Sequence, residues 1–265
     1  MYEAYWGLSQ SPFQNVPDPT FFCPLPAHTE ILERLMYVVQ SGKGAVLLTG
    51  EAGCGKSTLS RVFLLQLEEE KYDIGLVLNP SLTSEELLGE IAYQLGVAAP
   101  ASQRSTQFRA LNDHCVANVQ GGRGTVLMID EAHTIKGHAI FEDLRMLLNF
   151  QLNDRQLLTL ILLGLPDLKE TIARQKALDQ RVAMHLKISQ LSEAETAFYI
   201  DFRLKKAKGR KQLFTKEAVN AIHREAAGIP RNINNLCDLC LLEGSKRKAK
   251  EVDAELVRAV LEFIQ

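Results

Sequence analysis

Residues 50–57 read Gly50-Glu51-Ala52-Gly53-Cys54-Gly55-Lys56-Ser57, which matches the pattern G-x-x-x-x-G-K-[ST] at every fixed position. An apolar run at 45–48 precedes this stretch, and a helical pattern that begins at Thr58 follows it. A buried strand that turns through glycines into a helix directs backbone N–H groups into a concavity that suits phosphate groups. Lys56 adds a full positive charge, and the Ser57 hydroxyl is a ligand that Mg²⁺ accepts. Residues 50–58 are therefore predicted to bind a nucleotide, and a chance glycine-rich turn is the weaker interpretation.

Composition limits the other possibilities. The chain has 265 residues and a formal net charge of −2, so any nucleic-acid-binding surface must be local. No apolar run approaches the ~20 residues of a membrane span. The first residues also lack the basic and apolar regions of a secretory signal. Five cysteines form no even disulfide framework, and we expect a cytoplasmic protein without a transmembrane segment of its own.

Predicted strands and helices alternate as far as residue 188. Apolar runs predict strands at 45–48, 74–78, 125–129 and 157–163. Helical patterns cover 58–70, 106–119 and 139–151, and two further helices begin at the Thr83/Glu86 capping box and at Pro166. This alternation predicts an α/β domain, residues 1–188, with a parallel sheet covered by helices on both faces.

From residue 189 onward only helices are predicted. They begin at the Ser192/Glu195 capping box, near Thr215, near Arg231 and near Asp253. We therefore expect a second, small and all-helical domain, residues 189–265.

A second motif, Val-Leu-Met-Ile-Asp-Glu-Ala-His at 126–133, places two carboxylates directly after an apolar strand. The carboxyl ends of parallel strands form the edge of the sheet where ligands bind. Asp130 is expected to hold the hydration shell of Mg²⁺, and Glu131 to polarise the attacking water. An acidic turn after an ordinary strand is the alternative, but the phosphate loop upstream makes it less attractive. A water-polarising glutamate also favours hydrolysis over a small-molecule kinase.

A third motif lies in the helical part, where Gly228-Ile229-Pro230 precedes Arg231. Pro230 is typical of the first turn of a helix. An arginine there is unfavourable for the helix dipole, so a functional role is one interpretation and a solvated surface arginine is the other. A lid arginine that reaches the γ-phosphate would couple nucleotide state to lid position.

Together, these three motifs resemble those of an AAA+ ATPase. More narrowly, the chain resembles ATPases of the general-secretion-pathway-A type, which include relatives from pilus biogenesis. The family's opening is matched by Tyr5-Trp6-Gly7-Leu8, Pro12-Phe13, Pro17-Asp18-Pro19 and Pro26-Ala27-His28. Its later patterns are matched by Gly164-Leu165-Pro166-Asp167-Leu168 and by residues 174–182. The resemblance covers essentially the whole chain and implies a P-loop NTPase fold with a parallel sheet and a C-terminal helical lid.

The resemblance also implies roles for single residues. By resemblance, the loop residues, including Lys56, bind the phosphates of ATP, and Ser57 and Asp130 bind Mg²⁺. Glu131 polarises the attacking water, and Arg231 of the lid senses the γ-phosphate. The full set of implied nucleotide-binding residues is Gly50, Glu51, Ala52, Gly53, Cys54, Gly55, Lys56, Ser57, Thr58 and Arg231.

An arginine finger, supplied in trans by a neighbouring subunit, is a further implication. Arg181 is the best candidate for it and Arg174 is the runner-up. The chain departs from the family at the strand that usually ends in a polar sensor residue, which here ends in Leu163-Gly164. The first sensor is therefore unassigned. Because the given residues end after the predicted lid, we expect the protein to lack the membrane helix and cell-wall-binding domain of the larger secretion members.

Two other features have more ordinary interpretations. Cys237-x-x-Cys240 has a metal-like spacing, but it stands alone in a helical apolar run and is expected to be two buried thiols. A basic stretch is expected to be a solvated lid surface, with contact to DNA as the alternative. Its residues are Arg203, Lys205, Lys206, Lys208, Arg210 and Lys211, with Lys246, Arg247, Lys248 and Lys250.

We therefore expect an oligomeric, Mg²⁺-dependent ATP hydrolase of the AAA+ type. By resemblance, it couples ATP binding and hydrolysis to assembly of a secretion or pilus-type envelope apparatus. The alternative is an ATP-dependent regulator of transposition or replication that binds double-stranded DNA and a transposase.

Overall fold

The computed structural model describes residues 2–98, 103–153, 155–209 and 212–264. The strands are β1 (Ala45–Thr49), β2 (Tyr72–Val77), β3 (Gly124–Ile129), β4 (Leu158–Gly164) and β5 (Val182–Lys187). The helices are α1 (Glu3–Trp6), α2 (Pro26–Gln40), α3 (Lys56–Leu64), α4 (Ser84–Gln94), α5 (Arg104–Gln120), α6 (His138–Leu147), α7 (Asp167–Arg174), α8 (Lys176–Asp179), α9 (Glu193–Lys206), α10 (Lys216–Ala226), α11 (Pro230–Lys246) and α12 (Ala254–Ile264).

The described residues group into two compact units. An α/β unit contains 27–50 and 59–188, and a helical unit contains the segment up to Pro26, the loop Glu51–Thr58 and the segment from Ser189. The carboxyl-terminal segment of the helical unit begins at Ser189. The amino-terminal segment and the phosphate loop group with these helices.

The α/β unit is built on a parallel sheet with the strand order β2-β3-β4-β1-β5 in the described chain. All residues of β1 and β4 are buried, as expected for central strands with helices on both faces. In the register of the sheet, Thr49 pairs with Gly164, and Leu162 pairs with Ile129. The carboxyl ends of β1, β4 and β3 therefore lie side by side at one edge of the sheet.

Four strands were predicted from their apolar runs, and β5 was not. β5 is an edge strand whose residues alternate between exposed and less exposed positions, and it carries His185 and Lys187. Such a strand has no continuous apolar run to identify it. The helix predicted at 58–70 begins at Lys56 and ends at Leu64, where the bonds Gln66 N–H to Phe63 O and Leu67 N–H to Leu64 O tighten the last turn.

The helical unit has its own core, to which the amino-terminal segment contributes. Trp6, Phe13 and Leu25 are buried together with residues of α9 to α12. The indole Nε1 of Trp6 donates a hydrogen bond to the carbonyl of Leu241, 2.8 Å away. The opening motif, the most family-specific part of the resemblance, is thus a structural part of the helical unit.

The buried Arg203 ties the amino-terminal segment to α9. Its guanidinium donates to the carbonyls of Pro12 (2.6 Å) and Gln14 (3.0 Å), and to the hydroxyl of Tyr199 (2.6 Å). Only 6% of Arg203 is exposed. The expectation that Arg203 belongs to a solvated basic surface is therefore wrong, because its guanidinium N–H groups donate to acceptors inside the helical unit. Arg210 and Lys211 of the same basic stretch lie outside the described residues.

Candidate functional site

The phosphate loop joins β1 to α3. Gly50, at its start, donates its N–H to the carbonyl of Gly164 at 3.2 Å, and any side chain at position 50 would collide with Ile188. Gly53 and Gly55 have φ angles of +81° and +94°, which favour glycine. A Cβ atom at position 55 would meet no atom within 4 Å, so this part of the loop faces open space. The glycines that the sequence pattern requires therefore have steric reasons in the structure.

Lys56 is the first residue of α3, and it is buried. Its Nζ donates to the carbonyl of Glu51 at 3.1 Å, across the loop. A buried cation at the positive end of a helix dipole is electrostatically unfavourable unless an anion lies nearby. Both the loop backbone and this lysine thus favour a phosphate group.

Cys54 lies within the loop with its thiol buried. Burial raises the pKa of the Cys54 thiol, and the nearby Lys56 charge only partly offsets the effect. A buried thiol with a raised pKa is a poor nucleophile.

The acidic pair follows β3 at the same edge of the sheet at which β1 ends. Asp130 is buried, and its Oδ1 accepts a hydrogen bond from the Glu131 N–H at 2.8 Å. Glu131 has left-handed backbone angles, φ 52° and ψ 31°, which are strained for a residue with a Cβ atom. Its side chain is 49% exposed. The buried Asp130 carboxylate is suited to binding a metal ion, and the exposed Glu131 carboxylate is suited to polarising a water molecule.

A 3₁₀ turn, Ala132–Thr134, follows Glu131 and carries His133. Nε2 of His133 lies 3.5 Å from Oε2 of Glu131, and the imidazole side chain is only 15% exposed.

The sequence pattern did not indicate that the start of α11 lies directly on the phosphate loop, within the helical unit. The Arg231 N–H donates to the carbonyl of Gly53 at 3.2 Å. A Cβ atom at position 53 would lie 2.8 Å from Cβ of Arg231 and 3.1 Å from a methyl group of Ile229. The Arg231 side chain itself is exposed. Position 53 therefore has no room for a side chain, and α11 contacts the loop through the backbone of Arg231.

The two candidates for an arginine finger lie elsewhere in the α/β unit. Arg181 precedes β5, where its carbonyl accepts from the N–H of Ala45 and its Nη1 donates to the carbonyl of Leu148 at 3.1 Å. It therefore lies where β1 begins, about 15 Å along the strand from the residue that starts the loop. Arg174 is exposed at the end of α7, with only a loose ion pair to the exposed Glu170. Arg181 thus lies at the amino-terminal end of β1, and the carboxyl end of β1 leads to Gly50.

Cys237 and Cys240 are buried free thiols, as expected. Within the described ranges, no group of three or more His, Cys, Asp or Glu residues is arranged to hold a metal ion. Nor is any helix of the described residues long and apolar enough to cross a membrane.

A parallel sheet with a phosphate loop after one strand and an acidic pair after another defines a P-loop nucleotide-binding protein. Comparison with known proteins narrows this class. Residues 39–172 match the family described as AAA domain, and the chain belongs to that family. The chain is also 37% identical over 257 residues to General secretion pathway protein A of Aeromonas hydrophila. That match covers 95% of this chain and 46% of the relative, so the chain spans about half of the relative's length.

Solved structures agree on the fold. The Aeropyrum pernix ORC2 protein, solved in ADPNP-ADP complexes, has a TM-score of 0.71 and 14% identity, over 96% of this chain and 71% of its own. The Aeropyrum pernix ORC1 protein in complex with DNA also has a TM-score of 0.71, with 15% identity and the same shares of each chain. The RuvB Holliday junction branch migration motor of Thermotoga maritima has a TM-score of 0.58 and 19% identity, over 89% of this chain and 68% of its own. The predicted AAA+ fold and the resemblance to the general-secretion-pathway-A type are confirmed.

Proposed function

We propose that this chain is an ATP hydrolase of the AAA+ type. The observation that supports this most strongly is the pairing of two motifs at one edge of one sheet. The phosphate loop follows β1, and the Asp130-Glu131 pair follows β3, two strands away. Neither motif alone specifies hydrolysis, but a phosphate site with a water-directed carboxylate does.

Each side chain then has one proposed task. Lys56 and the loop N–H groups neutralise and orient the phosphates of ATP. Ser57 and Asp130 would hold Mg²⁺, which supplies a positive charge that the phosphate oxygens share. Glu131, with its exposed carboxylate, orients and polarises the attacking water.

Residues 189–265, the carboxyl-terminal segment of the helical unit, are proposed to act as the lid domain of a nucleotide-binding domain at 1–188. Arg231 would sense the γ-phosphate, since its backbone already contacts the loop through Gly53. Arg181 would act in trans as an arginine finger, because it lies at the edge of the sheet opposite to its own loop. The proposed task of Arg181 requires a homo-oligomer, whereas that of Arg231 does not.

The biological role is proposed from the relative. General secretion pathway protein A is named for secretion and is 37% identical to this chain. We propose that ATP turnover here drives assembly of a secretion or pilus-type envelope apparatus from the cytoplasmic side. The buried free thiols suit such a reducing compartment.

A second candidate function is ATP-dependent regulation on double-stranded DNA. One face of α9 favours it, since Phe198 is exposed and stacks with Phe202, and Lys206 lies over the Phe202 ring. Lys205 and Lys208 are exposed nearby. Basic and aromatic side chains on one surface are typical of nucleic-acid contacts.

Steady-state ATPase assays, with and without Mg²⁺ and double-stranded DNA across a salt series, test the proposal. The envelope role predicts Mg²⁺-dependent turnover that DNA does not change. Stimulation by DNA that disappears with salt, and with Lys205→Glu/Lys206→Glu, would favour the second candidate. Absence of turnover in an oligomeric preparation would contradict the hydrolase itself.

A further inference from the structure

The carboxyl end of β4 has no room for a polar side chain. A Cβ atom at Gly164 would lie 2.6 Å from a methyl group of Leu168 and 3.2 Å from the backbone nitrogen of His133. β4 nevertheless lies between β3, which leads to the acidic pair, and β1, which leads to the phosphate loop. The 3₁₀ turn after Glu131 thus covers the end of β4, with the backbone nitrogen of His133 next to Gly164.

The His133 ring has two different surroundings. Nε2 points towards the carboxylate of Glu131, with 3.5 Å between Nε2 and Oε2. Nδ1 is buried and has no hydrogen-bond partner among the described residues. A proton on Nε2 therefore has a carboxylate oxygen nearby, whereas a proton on Nδ1 would have no acceptor among the described residues.

The backbone of Glu131 is held firmly, while its side chain is not. Its carbonyl accepts from both the N–H (2.9 Å) and the hydroxyl (2.8 Å) of Thr134, and its own N–H donates to Asp130. The carboxylate reaches solvent, and its Oε2 lies 3.5 Å from Nε2 of His133. The direction of the carboxylate thus depends on a ring nitrogen that can donate a hydrogen bond to it.

We propose that His133 is a positioning residue for Glu131. As an Nε2–H donor that faces Oε2 of Glu131, it holds the carboxylate in the direction from which it polarises water. This inference rests on the proposed ATP hydrolysis. It assigns no contact between His133 and the nucleotide.

The experiment compares His133→Phe with His133→Gln in the full chain. Phe keeps a ring of similar size but cannot donate, whereas the Gln amide can donate from a position close to that of Nε2. We expect His133→Phe to lower kcat on the order of tenfold, with the Kd for MgADP and a non-hydrolysable ATP analogue within twofold of the unmodified protein. His133→Gln should restore most of kcat.

Thermal unfolding separates positioning from a structural role. Because Phe removes a buried nitrogen that has no partner, His133→Phe should unfold at the same temperature as the unmodified protein or at a higher one. His138→Phe is the matched control, since His138 begins α6 with its side chain 71% exposed, and its kcat should not change.

Three results would overturn the inference. One is an unchanged kcat in His133→Phe while the unmodified protein turns over ATP. Another is a loss of nucleotide affinity and of melting temperature in step with kcat, without recovery in His133→Gln. An unmodified protein that binds ATP without hydrolysing it would overturn the proposed function as well.

Discussion

Replacement of Arg203 by Met should destabilise the helical unit without removing much packing. Met keeps an unbranched apolar stem beside the rings of Phe21 and Tyr199, which lie 4.9 and 5.5 Å from the guanidinium carbon. It removes the donors to the carbonyls of Pro12 and Gln14 and to the Tyr199 hydroxyl. Each hydrogen bond to a charged donor contributes about 1.5–3 kcal/mol, and the buried carbonyl of Pro12 would lose its partner. The carbonyl of Gln14 belongs to an exposed residue and can bond to water, and the Tyr199 hydroxyl keeps its bond to Asn234. We therefore expect a loss of about 3 kcal/mol in unfolding free energy, close to the contribution of the Pro12 bond alone.

The single tryptophan makes the assay specific to this unit. Trp6 is the only tryptophan of the sequence, and it is buried in the core of the helical unit. Urea unfolding followed by Trp6 fluorescence therefore reports on the helical unit, even if the two units unfold separately. Lys205→Met is the control, because Lys205 is an exposed residue of the same helix, α9, and should cost less than about 0.5 kcal/mol.

A loss below about 1 kcal/mol in Arg203→Met, or equal losses in both variants, would refute this reasoning. In that case the amino-terminal segment would be held by its apolar residues alone, and the guanidinium would have no part in attaching it.

Three further predictions concern the site. If Arg181 acts in trans, specific ATPase activity should rise with protein concentration, and a mixture of Arg181→Ala and Lys56→Ala proteins should recover part of the activity that each lacks. If the mixture does not recover activity, and activity is independent of concentration, Arg181 has only a structural role. ATP should protect the amides of residues 228–248 from hydrogen exchange more than ADP does, and Arg231→Ala should reduce that difference. Equal protection by ATP and ADP in the unmodified protein would show that these residues do not respond to the γ-phosphate. A thiol reagent should label Cys54 far more slowly in the native protein than in urea, because burial raises the pKa of this thiol. Peptide mass spectrometry measures the labelling, and rapid labelling of the native protein would show that the loop opens.

The sequence predicted those parts of the fold that depend on local patterns. The central strands were identified because their residues are apolar without interruption, and the capping boxes at Thr83 and Ser192 were confirmed by both of their hydrogen bonds. The glycines of the phosphate loop were likewise predictable, because they are required by the backbone angles and close contacts of the loop itself. β5 was missed because an edge strand needs to be apolar on one side only.

What the sequence did not predict depends on residues far apart in the chain. Trp6 meets Leu241, and Arg203 meets Pro12, across about two hundred positions, and no periodicity connects such pairs. Arg203 was interpreted as part of a charged surface because its neighbours are lysines, although its own position on α9 faces the core. The contact of α11 with Gly53 was not predicted for the same reason, because residues 53 and 231 are far apart in the sequence.

The central claim is that the phosphate loop binds ATP and that Glu131 acts on the attacking water. Nucleotide affinity and ATP turnover, measured side by side for Lys56→Ala and Glu131→Gln, test it most directly. Because Lys56 acts on the bound phosphates, Lys56→Ala should lose nucleotide binding, and turnover with it. Glu131→Gln should keep the ATP affinity of the unmodified protein and lose its turnover. Equal loss of affinity in both variants, or normal turnover in Glu131→Gln, would contradict the account.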